Sequence, residues 1–177
     1  MGCGKSSVGR RLSELLCCPF MDLDEEIKAK TGRSIPEIFA EDGEDAFRKM
    51  ELETLYDIVP MPVYSRGPLP ADESSQDIIL ALGGGTVMTR ECAEIVHKGT
   101  RCIYLKTSVE TLVCHLEGET ENRPMLQGES LRERISELMA RRSGTYERTA
   151  HVIIDTDGRS IDEIAAEIIS KVRQSGV

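Results

Sequence analysis

The stretch 1-MGCGKSSVGRRLSELL-16 decides how the rest of the chain is read. Gly2, Gly4, Lys5 and Ser6 supply most of a phosphate-binding turn of the form G-x-x-x-x-G-K-[ST]. In such a turn small residues let backbone N–H groups converge on an anion, and the following helix aims its N-terminus at it. The lysine reaches the group being transferred, and the Ser6 hydroxyl suits Mg2+. The motif's first glycine would lie two residues before Met1, together with the strand that leads into such a loop. Directly after the turn, Val8, Leu12, Leu15 and Leu16 share one helical face, which predicts a helix over 5–16.

The composition narrows what this turn can serve. Lys and Arg number 22 against 31 Asp and Glu in 177 residues, a net charge of −9. An acidic chain is a poor partner for nucleic acid or an anionic membrane, so an anionic ligand needs a local cationic pocket. Hydrophobic residues make up 40% and aromatic ones 4% with no Trp, which implies an aliphatic core. The longest clean apolar run, Ile78 to Leu82, is far short of the roughly 20 residues of a membrane span. The start carries no secretory pattern. Cys3, Cys17, Cys18, Cys92, Cys102 and Cys114 form no C-x-x-C pair, and they read as reduced small hydrophobes in a cytoplasmic protein.

Outward from the turn, strand and helix patterns alternate. Pro19 to Asp24 reads as a short strand, Ile35 to Phe39 as a small helix stopped near Gly43, and 45–58 as a longer helix. The segment 60–76, with Pro60, Pro62, Pro68 and Pro70, reads as an exposed loop within one domain covering 1–177. Ile78–Leu82 is a buried strand entering Gly83-Gly84-Gly85; 102–105 and 152–154 are further strands. Helical patterns cover 92–97, 109–116, 131–146 and 161–172. The alternation predicts an α/β fold, a three-layer α/β/α sandwich around a central parallel sheet.

Several residues carry candidate chemistry. Alternation on the predicted strand places Asp22 and Asp24 on one face, where one orders Mg2+ water and the other takes a proton from a hydroxyl. Asp24 reads equally as the cap of a helix beginning at Glu25. Arg142 continues the stripe of Leu131, Ile135 and Leu138, while Arg48 continues that of Leu52, Leu55 and Val59, with Glu51 one turn along to orient it. Each inward guanidinium is either a structural ion pair or one half of a bidentate grip on a carboxylate. The polar stretch 117-EGETENRPMLQG-128 is an ordinary loop or a lid that carries Arg123 onto phosphate charge.

Together GCGKSS at 2–7, DLDEEI at 22–27, TGRSIPEIF at 31–39, AFRKMELE at 46–53, GGG at 83–85, RP at 123–124 and R-x-x-x-Y at 142–146 resemble the shikimate kinase family of P-loop kinases. The resemblance runs from Met1 to about 172. It implies that Gly2, Cys3, Gly4, Lys5, Ser6 and Ser7 bind ATP, and that Ser6 and Asp22 serve Mg2+. Asp24 would hold the substrate hydroxyls and act as base, with Lys5 and Arg123 completing the catalytic set. Arg48 and Arg142 would clamp the shikimate carboxylate, with Glu51 orienting Arg48. Gly84 and Gly85 would offer N–H groups, while Ile35, Phe39 and Phe47 would wall the ring. The reaction implied is transfer of the γ-phosphate of ATP to the 3-hydroxyl of shikimate, on the chorismate route to aromatic amino acids. The enzyme implied is a cytoplasmic monomer whose only partner is a small molecule, with substrate-binding helices over about 31–58.

Three features depart from the family pattern: the leading strand and glycine are missing, 60–76 lengthens the link into the Gly85 loop, and His115 stands where the family usually has an arginine over adenine. His115 reads as an ordinary helix-end histidine. The alternatives are a kinase of another hydroxy acid such as gluconate, and a P-loop-like binding module without catalysis.

Overall fold

Gly4 sits at φ +75°, a left-handed setting that glycine takes without a Cβ penalty, and from it α1 (Lys5–Leu16) starts. The structure is a computed structural model that describes residues 2–59, 77–116 and 131–175. The proline-rich segment 60–76 and the stretch 117–128, expected as a loop or a lid with Arg123, lie outside the described residues.

After α1 the chain forms β1 (Phe20–Asp22) and turns at once into α2 (Leu23–Thr31). The strand stops at Asp22 because that side chain folds back to accept the N–H of Asp24 at 3.1 Å, capping α2. Asp24, Glu25 and Glu26 then fill the first turn, where the helix dipole favours acids. This corrects the expectation of two carboxylates alternating along one strand: Asp22 is the cap, and Asp24 belongs to the helix. A capping box between Ser34 and Glu37 opens α3 (Ile35–Glu41), and α4 (Gly43–Ile58) follows. Then come β2 (Ile79–Ala81), a 3-10 turn at Thr86–Met88, α5 (Arg90–Gly99), β3 (Ile103–Lys106) and α6 (Val109–Leu116). The described chain ends through α7 (Leu131–Thr149), β4 (Val152–Asp155) and α8 (Ile161–Ser175).

Among the described residues all the strand pairing is parallel. β1 lies beside β2 with Met21 opposite Leu80, and β3 lies beside β4 with Tyr104 opposite Ile153. Among the described residues no ladder joins the two pairs. An apolar cavity of about 100 Å³ runs past the end of β2 and along β3, with Cys3, Leu82, Tyr104 and Leu138 in its wall.

Helices cover both faces. Val8 and Leu12 of α1 pack with Ile164, Ala165 and Ile168 of α8 against Leu105, Val152, Ile154 and Ile79. On the other face Leu55 of α4 and Cys92, Ile95 and Val96 of α5 pack against Leu80 and Leu82. Ile79 and Leu80, adjacent in sequence, thus point into opposite layers, as a strand's two-residue period requires. The three-layer α/β expectation holds. A smaller core of Leu23, Ile27, Ile38 and Phe47 knits α2, α3 and α4 together. Full burial of such side chains contributes about 1.5–3 kcal/mol each, enough to make this cap a firm platform for the residues it presents. Among the described residues no helix is long and apolar enough to cross a membrane.

Candidate active site

Gly83, Gly84 and Gly85 follow β2, and their missing side chains let other groups approach. A Cβ on Gly85 would lie 2.5 Å from both Nη1 and Nη2 of Arg48, so the guanidinium rests directly on the glycine backbone. The carbonyl of Gly84 accepts from Nη1 of Arg142 at 3.2 Å and from the hydroxyl of Tyr146. Around the point where a Gly83 Cβ would stand, Asp24 Oδ1, Thr86 Oγ1 and Glu51 Oε1 converge at 3.0, 3.0 and 3.1 Å. Three consecutive glycines therefore gather Asp24, Arg48, Glu51 and Arg142 from three different helices.

The ionic chemistry of this cluster is uneven. Glu51 is 1% exposed, and its two oxygens are met by Arg48 at 2.5 Å and Thr86 at 2.6 Å. Arg48 reaches back with its other nitrogen to Glu44 at 2.8 Å, on the exposed side of α4. Asp24, by contrast, has a buried Oδ1 with no partner. Burial, then Asp22 and Glu51, push its carboxyl above the usual carboxylate range, with Lys5 pulling the other way. A half-buried carboxylate with a vacant oxygen is equipped to accept a proton from a hydroxyl placed beside it.

The Gly2–Ser7 turn borders this cluster: Lys5 acts on the Asp24 carboxyl, and Lys5 and Cys3 wall the cavity together with Gly83, Gly84 and Arg142. Gly2 at φ +63° and Gly4 at φ +75° shape the turn, and α1 begins at Lys5 with no acidic residue in its first turn. With no acidic side chain of its own there, the N-terminus of α1 is suited to an anion. The Ser6 hydroxyl donates to Asp22 Oδ2 at 3.0 Å. A hydroxyl and a carboxylate brought together are hard oxygen donors, and a small Mg2+ that keeps most of its waters and takes phosphate oxygens needs no more from the protein. The donor set fits that ion. Cys3 receives Lys5 Nζ at 3.9 Å; burial raises its thiol, Lys5 opposes this, and the net shift is downward.

The residues expected to wall a substrate ring are also adjacent. Phe39 and Phe47 stand 4.8 Å apart in the α2–α4 core, with Ile35 packed against the same cluster. Phe47 is nearly all core, at 4% exposure, so Phe39 and Ile35 present the open surface. His115 stands in the last turn of α6, as a helix-end histidine should, and its Nδ1 lies 2.8 Å from the carbonyl of Gly2, tying that end of the helix to the Gly2–Ser7 turn.

Two residues of the site carried no role in the sequence reading. Tyr146 stands one turn beyond Arg142 on the same stripe, a spacing that points to a shared target. Thr86 offered no comparable signal, because its partner Glu51 lies 35 positions away.

The family model described as shikimate kinase matches residues 1–68 and 69–173. A shikimate kinase of Dictyoglomus turgidum is 39% identical over 175 residues, covering 98% of this chain and 93% of the relative. One of Thermus thermophilus is 37% identical over 172 residues, covering 97% and 85%. A solved shikimate kinase of Acinetobacter baumannii in complex with shikimate superposes with a TM-score of 0.86 at 32% identity, covering 100% of this chain and 90% of that one. The shikimate kinase of Aquifex aeolicus gives 0.77 at 27% identity, with 100% and 94% covered.

Proposed function

The chain belongs to the shikimate kinase family, and from that premise we propose that it transfers the γ-phosphate of ATP to the 3-hydroxyl of shikimate, releasing ADP and shikimate 3-phosphate. The observation that carries this reading is the gathering of Asp24, Arg48 and Arg142 on Gly83–Gly85, with Lys5 sharing a cavity with Gly83, Gly84 and Arg142.

In this reading Arg48 and Arg142 grip the shikimate carboxylate. Guanidinium groups pair with a carboxylate bidentately, and the −9 chain has to supply that positive field locally. The ring then lies along Phe39 and Ile35, with Gly84 and Gly85 offering N–H groups, and the hydroxyl to be phosphorylated meets the vacant Oδ1 of Asp24. Asp24 takes the hydroxyl proton as the oxygen attacks the γ-phosphorus. The bond to the bridging oxygen breaks, and its electrons leave with ADP. Lys5, the α1 N-terminus and the Gly2–Ser7 turn hold the phosphates, with Arg123 of the lid adding positive charge. Ser6 and Asp22 would hold Mg2+, which supplies charge neutralisation to the phosphate oxygens. Phosphoryl transfer asks chiefly for this positioning and charge stabilisation.

The same reading takes the enzyme as a monomer acting on a small molecule. All six cysteines are free, which supports a reducing cytoplasmic setting. A coupled ADP-release assay with ATP, Mg2+ and a panel of hydroxy acids tests the reading. Turnover that depends on shikimate is expected; turnover with gluconate and none with shikimate would overturn it.

A further inference from the structure

Thr86 is wholly buried, at 0% exposure, in the short turn just past the three glycines. Its hydroxyl donates to Oε1 of Glu51 at 2.6 Å, while Oε2 of the same carboxylate takes Nη1 of Arg48 at 2.5 Å. A carboxylate with 1% exposure needs both oxygens met, because an unmet lone pair there has no water to turn to. Thr86 and Arg48 meet one oxygen each, and Thr86 spends its only proton on Glu51. Its backbone N–H is held separately by the carbonyl of Gly83 at 3.3 Å, so the hydroxyl is anchored at a fixed point of the glycine loop. Take that hydroxyl away, and Oε1 of Glu51 competes with Oε2 for the donor that remains, Arg48. The guanidinium has little freedom to answer both, because it lies against the backbone of Gly85.

We propose that Thr86 is a positioning residue for the substrate-carboxylate clamp: by occupying one oxygen of Glu51, it leaves the other to aim Arg48 across Gly85 at an acid substrate. The inference rests on the reading of the site as a shikimate site and adds to it a residue that never touches substrate. Its signature is chemical. A defect transmitted through Arg48 is felt only by a substrate with a charged carboxylate, whereas a general loosening of the loop is felt by any substrate.

The test is steady-state kinetics of wild type, Thr86→Val and Thr86→Ser with ATP, on shikimate and on its methyl ester. Val keeps the shape of Thr without the hydroxyl, and Ser keeps the hydroxyl. Thr86→Val should raise KM for shikimate about 10-fold or more, the scale of a hydrogen bond to a buried charge, with kcat and KM for ATP within about 2-fold. Thr86→Ser should restore KM to within about 3-fold of wild type. On the methyl ester, wild type and Thr86→Val should show the same kcat/KM. An unchanged KM for shikimate in Thr86→Val refutes the proposal, and so does an equal loss on acid and ester. Should the Val variant melt below the assay temperature, Thr86→Ala, which removes the hydroxyl with less bulk, is judged by the same two comparisons. Absence of any shikimate turnover in the wild type would instead bring down the underlying assignment, and this proposal with it.

Discussion

Gly85→Ala isolates one distance in the site. Gly85 has φ −106° and ψ −14°, a setting open to alanine, so the substitution adds a methyl group without demanding a new backbone conformation. The methyl carbon would start 2.5 Å from both terminal nitrogens of Arg48 and 2.8 Å from its Cζ, against a shortest ordinary contact of 3.4 Å. The guanidinium therefore has to retreat by about 0.9 Å, which is 3.4 Å less 2.5 Å. The fold absorbs this shift by stretching the ion pairs of Arg48 with the buried Glu51 and with Glu44, so the melting temperature should fall by several degrees without loss of folding. The grip on substrate cannot absorb it in the same way: a misplacement of about 1 Å in a positioning group costs on the order of 10²-fold in efficiency. Steady-state kinetics should therefore show kcat/KM for shikimate down about 10²-fold, most of it in KM, with KM for ATP unchanged. A KM for shikimate equal to wild type in a folded Gly85→Ala protein would refute the placement of Arg48 in the substrate site.

Other expectations follow from the same geometry. Asp24→Asn keeps the shape of the side chain but removes the base; kcat should fall by about 10²-fold or more, and a kcat near wild type would reject Asp24 in that role. Glu44 competes for Arg48 from an exposed position, where an ion pair is worth only about 0.2–1 kcal/mol. Glu44→Ala should thus lower KM for shikimate modestly, by about 2-fold, and a rise would show that Glu44 supports the clamp. His151 accepts the N–H of Cys102 on Nδ1 at 3.1 Å, a bond only the unprotonated nitrogen can make. Burial, then His97 stacked 4.5 Å away, then Arg101, hold its pKa below the usual 6.5. The folded state thus binds a proton less readily than the unfolded chain. The contribution is complete above about pH 6.5 and is lost as pH falls from there through the lowered value. Thermal melts at pH 7.5 and 5.5 should show a larger acid loss for wild type than for His151→Asn, and equal losses would remove His151 as a cause.

How much of this was legible beforehand depends on whether a signal was local. The α1 stripe and the inward Arg48 and Arg142 are periodicity within single helices: Val8 and Leu12 pack into the core and both arginines turn toward the glycine loop, while Leu15 and Leu16 at the end of the stripe are 45% and 42% exposed. The triple glycine was legible as a loop but not as a floor, since what presses on it comes from α2, α4 and α7. Asp24 was misplaced onto a strand because the pattern D-x-D is compatible with alternation, and the competing interaction, the Asp22 side chain capping α2, ends the strand two residues earlier. Thr86 was invisible for a different reason: a hydroxyl that satisfies a buried carboxylate from another element leaves no trace in spacing. His115 was read from its own helix, while its partner is a carbonyl 113 positions away.

The account turns on two guanidinium groups holding a substrate carboxylate. Calorimetric titration of shikimate into wild type and into a protein carrying both Arg48→Ala and Arg142→Ala tests it directly, with ATP titrated in parallel as the control for folding. Each lost charge-assisted contact should weaken shikimate binding by about 10- to 100-fold, so the double variant is expected to give no measurable shikimate heat while binding ATP as before. Shikimate affinity undiminished in that variant would contradict the account.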